Sequence, residues 1–163
     1  MVSTLSNYYN FYGSYSLNGT LYSLFQPGSI SGDFAWADSY VNQIWMNANF
    51  ALDLLTLLKN SKSIPYTSSG RSLIKSSLTD TITTAGTFGA WQAGVTLSSA
   101  QINAVNAAAG TNVSDTLQSV GYYLQVSSSS ASVRAARESP PVTFWYCDGG
   151  SVQKINMSSI ELQ

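Results

Sequence analysis

One long amphipathic stretch constrains the fold more than any other feature of the chain. From Trp36 to Lys59, apolar side chains recur at steps of three and four residues, which places them on one face of an α-helix. Asp33 and Asp38 lie near its start and Lys59 at its end, as the helix dipole favours. The stretch predicts a helix from Asp33 or Trp36 to Lys59. Its apolar face comprises Trp36, Tyr40, Val41, Ile44, Trp45, Ala48, Ala51, Leu52, Leu55 and Leu58.

Three further apolar residues widen this face toward the C-terminal end of the predicted helix. They are Phe50, Leu54 and Leu57. A wider apolar face is typical of a helix that contacts the core on more than one side. We therefore expect the C-terminal end of this helix to be the more completely buried end.

Turn and capping signals predict the elements on either side of the long helix. Asn18-Gly19 separates two runs rich in Tyr and Leu, 8–16 and 20–26, and predicts a β-hairpin. Ser98 and Gln101 have the spacing of a capping box that opens a helix, and Gly110 ends it. Three glycines within 84–94 predict a loop there. The shorter helices are predicted at 67 or 68–83, 98–109, 112 or 114–121, and 131–137.

Residues favouring β-structure predict strands in the C-terminal third. One strand is predicted at 122–126 and another at 142–147, with Asp148-Gly149-Gly150 as a hairpin turn and 151–156 as the return strand. The segment 158–163 alternates Ile160 and Leu162 with polar residues, which is typical of a half-buried strand.

These elements predict an α+β fold in which one mixed or antiparallel sheet is flanked by the long helix and two or three shorter helices. A C-terminal hairpin and a strand arm complete it. We expect residues 1–141 to form a helix-rich core domain with an N-terminal hairpin. Residues 142–163 are expected to form the C-terminal hairpin and an inter-subunit arm of the same domain.

The composition narrows the class of protein. The chain has 163 residues, of which 44% are hydrophobic, enough for a packed core. Only 9% are charged, against about 25% in a typical protein, and the net charge is −1. No basic block is present, which argues against nucleic-acid binding. A surface with so few charges is either covered by partner proteins or simply rich in Ser and Thr.

Residues that carry catalytic or metal chemistry are scarce. The chain has no His and a single Cys, Cys147, so no Ser-His, Cys-His or Cys-rich zinc arrangement is possible. The eight acidic residues are dispersed along the chain. The glycines of 86–89 lack the ending of a phosphate-binding loop, and Asp148-Gly149-Gly150 lacks the alternating carboxylates of a calcium loop. We therefore expect no catalytic residues, no metal and no cofactor.

Local patterns bear on two further possible partners, a membrane and a carbohydrate. Residues 1–10 lack the features of a signal peptide, and the apolar run 48–58 is too short to span a bilayer, so no membrane contact is expected. The Tyr-rich hairpin keeps open an alternative function as a carbohydrate-binding module.

Several segments together resemble a known phage protein family. In the C-terminal third these are Arg134-Ala-Ala-Arg137, Ser139-Pro-Pro141, Phe144-Trp-Tyr146 and 148–155. Earlier segments that fit are 32–36, 38–45, 62–66, 88–90 and 93–97. The combination resembles the C-terminal part of phage proteins of the DUF3383 type, which are similar to the contractile tail sheath proteins of myoviruses. The members of that family are much longer than this chain.

The resemblance implies a structural subunit that polymerises with copies of itself around a tail tube protein and contracts to drive genome delivery. Baseplate and tail terminator proteins are further implied partners. The location implied is the virion tail, after assembly in the host cytoplasm. The alternative is another structural protein of the virion or its tail.

Two groups of residues are the candidate sites. Ser158, Ser159, Ile160, Glu161, Leu162 and Gln163 are predicted to pair as a strand with a neighbouring subunit. Arg134, Arg137 and Lys154, three of only seven basic residues, are predicted to meet an acidic partner surface such as the tail tube. The alternatives are that the tail closes the sheet of its own domain and that the three cations are merely solvated.

Overall fold

The computed structural model describes residues 9–26, 30–32, 34–152 and 155–161. The predicted strand start at Tyr8 and the earlier of the two predicted helix starts, Asp33, lie outside these residues. The chain divides into two compact units. One comprises the described residues up to Val41 together with those from Ser151 onward, and the other comprises Asn42–Gly150.

The N-terminal hairpin is confirmed. Strand β1 (Tyr12–Leu17) pairs antiparallel with β2 (Thr20–Phe25). The connecting residues Asn18 and Gly19 have φ values of 48° and 77°. Both values are positive, as the two-residue turn that matches the twist of a hairpin requires.

The long helix α1 (Ala37–Asn60) is also confirmed. The prediction that its C-terminal end is buried more completely is wrong, because Leu55 and Leu58 are each 64% exposed. The face of α1 that packs inward is a different one, on which Met46 is fully buried and Phe50 contacts the same core cluster.

A polar contact completes the inward face of α1. The hydroxyl of Thr81 donates a hydrogen bond of 2.6 Å to the Asp53 carboxylate, and Thr81 is buried. Because the carboxylate has this partner, an acidic residue can occupy an inward position that its polarity alone would exclude. The apolar stripe seen in the sequence is therefore left facing outward.

Two helices replace the predicted helix 67 or 68–83 and the loop after it. They are α2 (Ser68–Ser77) and α3 (Thr79–Phe88), which meet at the buried residue Leu78. The loop prediction for 84–88 is wrong. Gly86 lies within α3, and a Cβ there would approach the Trp91 ring to 2.3 Å, so this helical position requires a glycine for packing.

The capping signals place the next two helices correctly. The predicted capping box is present in α4 (Ser99–Ala109), where the Ser98 hydroxyl accepts from the Gln101 amide and the Gln101 side chain accepts from the Ser98 amide. Gly110, with a φ of 70°, ends the helix. Helix α5 (Ser114–Val120) ends in the same way at Gly121.

The second sheet corrects the predicted C-terminal hairpin. Strand β3 (Tyr122–Val126) pairs antiparallel with β4 (Val142–Tyr146), and the short helix α6 (Ala131–Ala136) lies between them in the chain. The predicted partner of β4 was 151–156. Of that segment, residues 151, 152, 155 and 156 are not in a strand, and Gln153 and Lys154 lie outside the described residues.

The chain after β4 takes other partners instead of turning back on itself. The Gln92 amide donates to the Cys147 carbonyl at 3.0 Å, and the Gly149 amide donates to the Ala90 carbonyl at 3.1 Å. A Cβ on Gly149 would lie 1.8 Å from the Gly89 carbonyl oxygen. Gly149 is thus a site of close backbone approach, and the predicted turn is a pairing with the segment after α3.

The β3–β4 pair is packed on both faces. On one face Phe144 and Tyr146 contact the cluster of Met46, Ala85 and Ala90 from α1 and α3. On the other face Tyr123 and Trp145 contact a second cluster, whose buried members are Val113, Leu117 and Cys147. The predicted α+β class is confirmed, with its antiparallel strands divided between two small sheets.

Candidate assembly surfaces

A groove of about 910 Å³ lies within the unit 42–150. One wall is formed by the C-terminal end of α1 and the connector 61–66 that follows it. The segments 127–129 and 134–142 also line the groove, the second of them starting at Arg134 within α6. Pro65 and Pro140 lie in these walls, and proline favours the extended backbone that keeps such segments out of helices.

Positive charge is concentrated at this groove. Four of the seven basic residues line it, namely Lys62, Arg71, Arg134 and Arg137. Glu138 is the one acidic residue among those that line it. None of the four cations forms an ion pair with another residue that the structure describes. The groove therefore has a local charge of about +3 in a chain whose net charge is −1.

Hydrogen bonds hold the groove walls in place. The Arg134 guanidinium donates to the Ser129 carbonyl at 2.7 Å, and the Tyr66 hydroxyl donates to the Glu138 carbonyl at 2.6 Å across 72 residues of sequence. The Ser129 hydroxyl is different. It is buried, it belongs to the groove lining, and it has no hydrogen-bond partner among the described atoms.

Arg137 is held in an unusual backbone conformation. It ends α6 with a φ of 56° and a ψ of 34°, the left-handed region that glycine occupies most easily. A residue with a Cβ costs about 1 kcal/mol there relative to glycine. The chain places a long cationic side chain at this position, next to the groove.

The predicted tube-contact residues are only partly brought together. Arg134 and Arg137 line the same groove, whereas Lys154 lies outside the described residues. Lys62 and Arg71 complete the cationic lining, and sequence reasoning missed both. They lie in other segments of the chain, so no local pattern links them to Arg134.

The predicted arm is exposed where it is described. Ser158, Ser159, Ile160 and Glu161 are all exposed, with Ile160 80% exposed, and none of them is in a strand. Leu162 and Gln163 lie outside the described residues.

The outward face of α1 is a second surface that sequence analysis assigned to the core. Ile44, Leu55 and Leu58 lie at steps that continue a 3–4 repeat through two alanines, Ala48 and Ala51, and all five are exposed. A 3–4 repeat is the spacing that presents one seam to a partner helix or groove. A contiguous exposed apolar patch of this kind is typical of an interaction surface.

No group of three or more potential ligands is positioned to hold a metal ion among the described residues. Within the same part of the chain, none of the helices combines the length and apolar character needed to cross a membrane.

The single thiol is buried in the second core cluster. The Cys147 Sγ donates to the Leu117 carbonyl at 3.6 Å, and burial raises the pKa of the thiol. A raised pKa disfavours the thiolate, which is the reactive form.

We expect native Cys147 to react with a thiol reagent at least about tenfold more slowly than the same thiol in denaturant. Because the folded pKa lies above the unfolded one, the free energy of unfolding should fall as the pH rises past about 8.5. Timed labelling with a chromogenic disulfide checks the first point, and urea melts at several pH values check the second. Equal labelling rates in buffer and denaturant would contradict the buried position.

A comparison with known proteins bears on these surfaces. A search of curated proteins found no match. The family model described as "E217 tail sheath protein gp31-like, C-terminal domain" matches residues 37–161, which include α1, the groove and most of the exposed tail. The matched residues make up more than three quarters of the chain. The resemblance to phage tail sheath proteins is confirmed, and the chain belongs to the family of E217 tail sheath protein gp31-like C-terminal domains, a structural family of phage tails.

Proposed function

We propose that the chain is the C-terminal domain of a contractile tail sheath subunit, which polymerises with copies of itself around a tail tube. Contraction of that polymer would drive genome delivery. The observation that carries the proposal is the family match over 37–161. The exposed apolar face of α1 and the exposed tail support it, because contiguous exposed apolar surface is typical of sites that contact other proteins.

The proposal assigns the chain no catalysis and no cofactor. Its partners are copies of itself and the tail tube, with baseplate and tail terminator proteins at the ends of the polymer. It acts in the virion after assembly in the host cytoplasm, and contacts neither nucleic acid nor membrane. Arg134, Arg137 and Lys154 are the proposed contacts to an acidic surface of the tube.

The tail is proposed to act as an arm that adds a strand to a neighbouring subunit. Residues 158–161 have no strand partner among the residues that the structure describes. The β3–β4 pair has two outer edges, and no other described strand pairs with either. Unpaired strand edges accept strands from other chains, and main-chain hydrogen bonds then give strength without charges.

Polymerisation tests the proposed function directly. We would follow the protein over a concentration series by light scattering and sedimentation, with and without purified tail tube protein, and inspect the products by electron microscopy. Ordered tubular or ring-shaped assemblies that form more readily on the tube are expected. A protein that stays monomeric at all concentrations and ignores the tube would overturn the proposal.

A point mutation on the outward face of α1 can be tested in the same polymerisation assay. Changing Leu55→Gln should weaken self-association about tenfold or more, since burying one leucine contributes about 1.5–3 kcal/mol and each 1.4 kcal/mol is a tenfold change. Leu55 is exposed in the subunit, so the melting temperature should hardly change.

Thr56→Gln is the matched control for this change. Thr56 is an exposed neighbour on the same helix, rotated away from the seam. Its association constant should equal that of the unmodified protein. If both substitutions weaken association equally, the effect does not arise from the seam.

A further inference from the structure

We propose that the cationic groove within 42–150 is a binding site for an extended acidic segment of another polypeptide, in which carboxylates alternate with apolar side chains. The inference rests on the proposed function only in taking that polypeptide to be another protein of the tail. It extends the tube-contact proposal from two arginines to a concave site with its own lining.

Charge complementarity determines the sign of the ligand. Lys62, Arg71, Arg134 and Arg137 all line the groove, with Glu138 as the one acidic residue among those that line it. The cations lack ion-pair partners among the described residues, and like charges held around one groove repel each other. Three of the four are arginines, whose planar guanidinium groups bind carboxylates through paired hydrogen bonds.

Ser129 provides a second, independent indication of a ligand. The residue is 8% exposed and lines the groove, and its buried hydroxyl has no hydrogen-bond partner among the described atoms. A buried polar group without a partner is unfavourable, and native proteins rarely leave one unsatisfied. A carboxylate or a main-chain carbonyl of an inserted segment would give this hydroxyl its acceptor.

Arg134 is held in place by a hydrogen bond to the main chain of Ser129. One of its terminal nitrogens donates to the Ser129 carbonyl at 2.7 Å, which leaves the remaining guanidinium donors for a ligand. Arg137 retains its side chain at the groove despite a left-handed backbone that glycine would adopt more easily. Residues held in such conformations cluster at functional sites.

The apolar lining determines the class of ligand. Leu54, Ile64 and Ile74 also line the groove, and its volume of about 910 Å³ far exceeds that of a single carboxylate or phosphate. A free anion would leave these side chains uncovered. An extended peptide presents successive side chains in opposite directions, so it can place apolar groups against the lining and carboxylates against the arginines.

Peptide binding tests the proposal on the intact chain. The probe is a fluorescent peptide of about eight residues that alternates glutamate with leucine, and its control has glutamine in place of glutamate. Binding is followed by fluorescence anisotropy at low and high salt. We expect the glutamate peptide to bind at least about tenfold more tightly than the glutamine peptide. Its affinity should fall as the salt concentration increases. Equal affinity of the two peptides would overturn the proposal.

Matched substitutions locate the binding. The double change Arg134→Gln and Arg137→Gln should reduce affinity for the glutamate peptide about tenfold or more. The double change Lys59→Gln and Lys75→Gln removes two exposed cations that do not line the groove, and affinity should stay within about twofold. If the control pair weakens binding as much as the arginine pair, the peptide is attracted by general charge and the groove is not its site.

A third variant separates the groove from the exposed cations. Ser129→Ala retains every charge and removes the hydroxyl that lacks a partner. The variant should keep the fold, and its affinity for the glutamate peptide should fall several-fold. Unchanged affinity would count against the groove, as would tighter binding of a single-stranded oligonucleotide. Polymerisation without peptide binding would overturn this proposal alone, whereas peptide binding without polymerisation would overturn only the proposed sheath function.

Discussion

A chain that lacks Ser158–Gln163 should remain folded and should fail to polymerise. The described part of this segment is exposed and forms no strand, so its removal should change the free energy of unfolding by less than about 0.5 kcal/mol. The melting temperature should then stay within about 2 °C. Polymerisation should be lost because a strand added to a neighbour contributes several main-chain hydrogen bonds and the Ile160 anchor. Circular dichroism melts and electron microscopy measure the two effects.

Two adjacent serines allow a matched control without truncation. In a strand paired along one edge, alternate amides point toward the partner, and proline has no amide hydrogen to donate. Ser158→Pro and Ser159→Pro should therefore affect polymerisation unequally, with one of them much more damaging. A truncated chain that unfolds would instead show that the tail belongs to the core of its own domain. A truncated chain that polymerises normally would contradict the proposed role of the tail as an inter-subunit arm.

Elements set by local chemistry could be predicted from the sequence. The hairpin turn requires two residues with positive φ, which Asn18-Gly19 supplies. The start of α4 depends on reciprocal hydrogen bonds between Ser98 and Gln101, which lie within one helical turn. Such signals involve residues a few positions apart, so neither depends on how the rest of the chain is arranged.

The pairing of β4 could not be predicted, because a strand's partner depends on the three-dimensional arrangement. Asp148-Gly149-Gly150 has the composition of a hairpin turn, which favoured the following residues as the partner. In the structure Gly149 is small because it packs against the Gly89 carbonyl, and β4 pairs with β3. A glycine needed for close approach and a glycine needed for a turn look alike in a sequence.

Which face of α1 packs inward could not be predicted either. Its 3–4 repeat marks an apolar seam, but a helix with apolar residues on two faces does not indicate which one meets the core. The hydrogen bond between Thr81 and Asp53 lets the face with an acidic residue pack inward. The apolar seam is thereby left exposed.

Only some of the residues that line the groove could be predicted from the sequence. Arg134 and Arg137 lie three residues apart on one short segment and could be recognised as a pair. Lys62, Arg71 and Ser129 reach the same groove from other parts of the chain, through the connector after α1, through α2 and through the segment after β3. Their convergence depends on tertiary packing, which sequence spacing does not encode.

Gly70→Ala is expected to destabilise the protein strongly. Alanine is the better helix former by about 1 kcal/mol, so propensity alone predicts a gain in stability within α2. The packing predicts the opposite, because a Cβ on Gly70 would lie 1.8 Å from the Pro65 carbonyl oxygen and 2.9 Å from its carbon. Both contacts are with backbone, which cannot rotate aside, and Gly70 is buried. Overpacking of this kind costs about 2–3 kcal/mol, which corresponds to a fall of roughly 5–10 °C in melting temperature.

The neighbouring residue provides the control for Gly70, and the groove provides a second readout. Ser69→Ala changes an exposed position of the same helix, and should leave the free energy of unfolding within about 0.5 kcal/mol. Pro65 belongs to the connector that lines the groove, so Gly70→Ala should also displace Tyr66 from the Glu138 carbonyl. Binding of the glutamate peptide should then be weaker even at temperatures where the chain is still folded. If the Gly70→Ala protein melts at or above the temperature of the unmodified protein, helix propensity outweighs the contact. The Pro65 carbonyl oxygen would then lie farther from a Cβ on Gly70 than 1.8 Å.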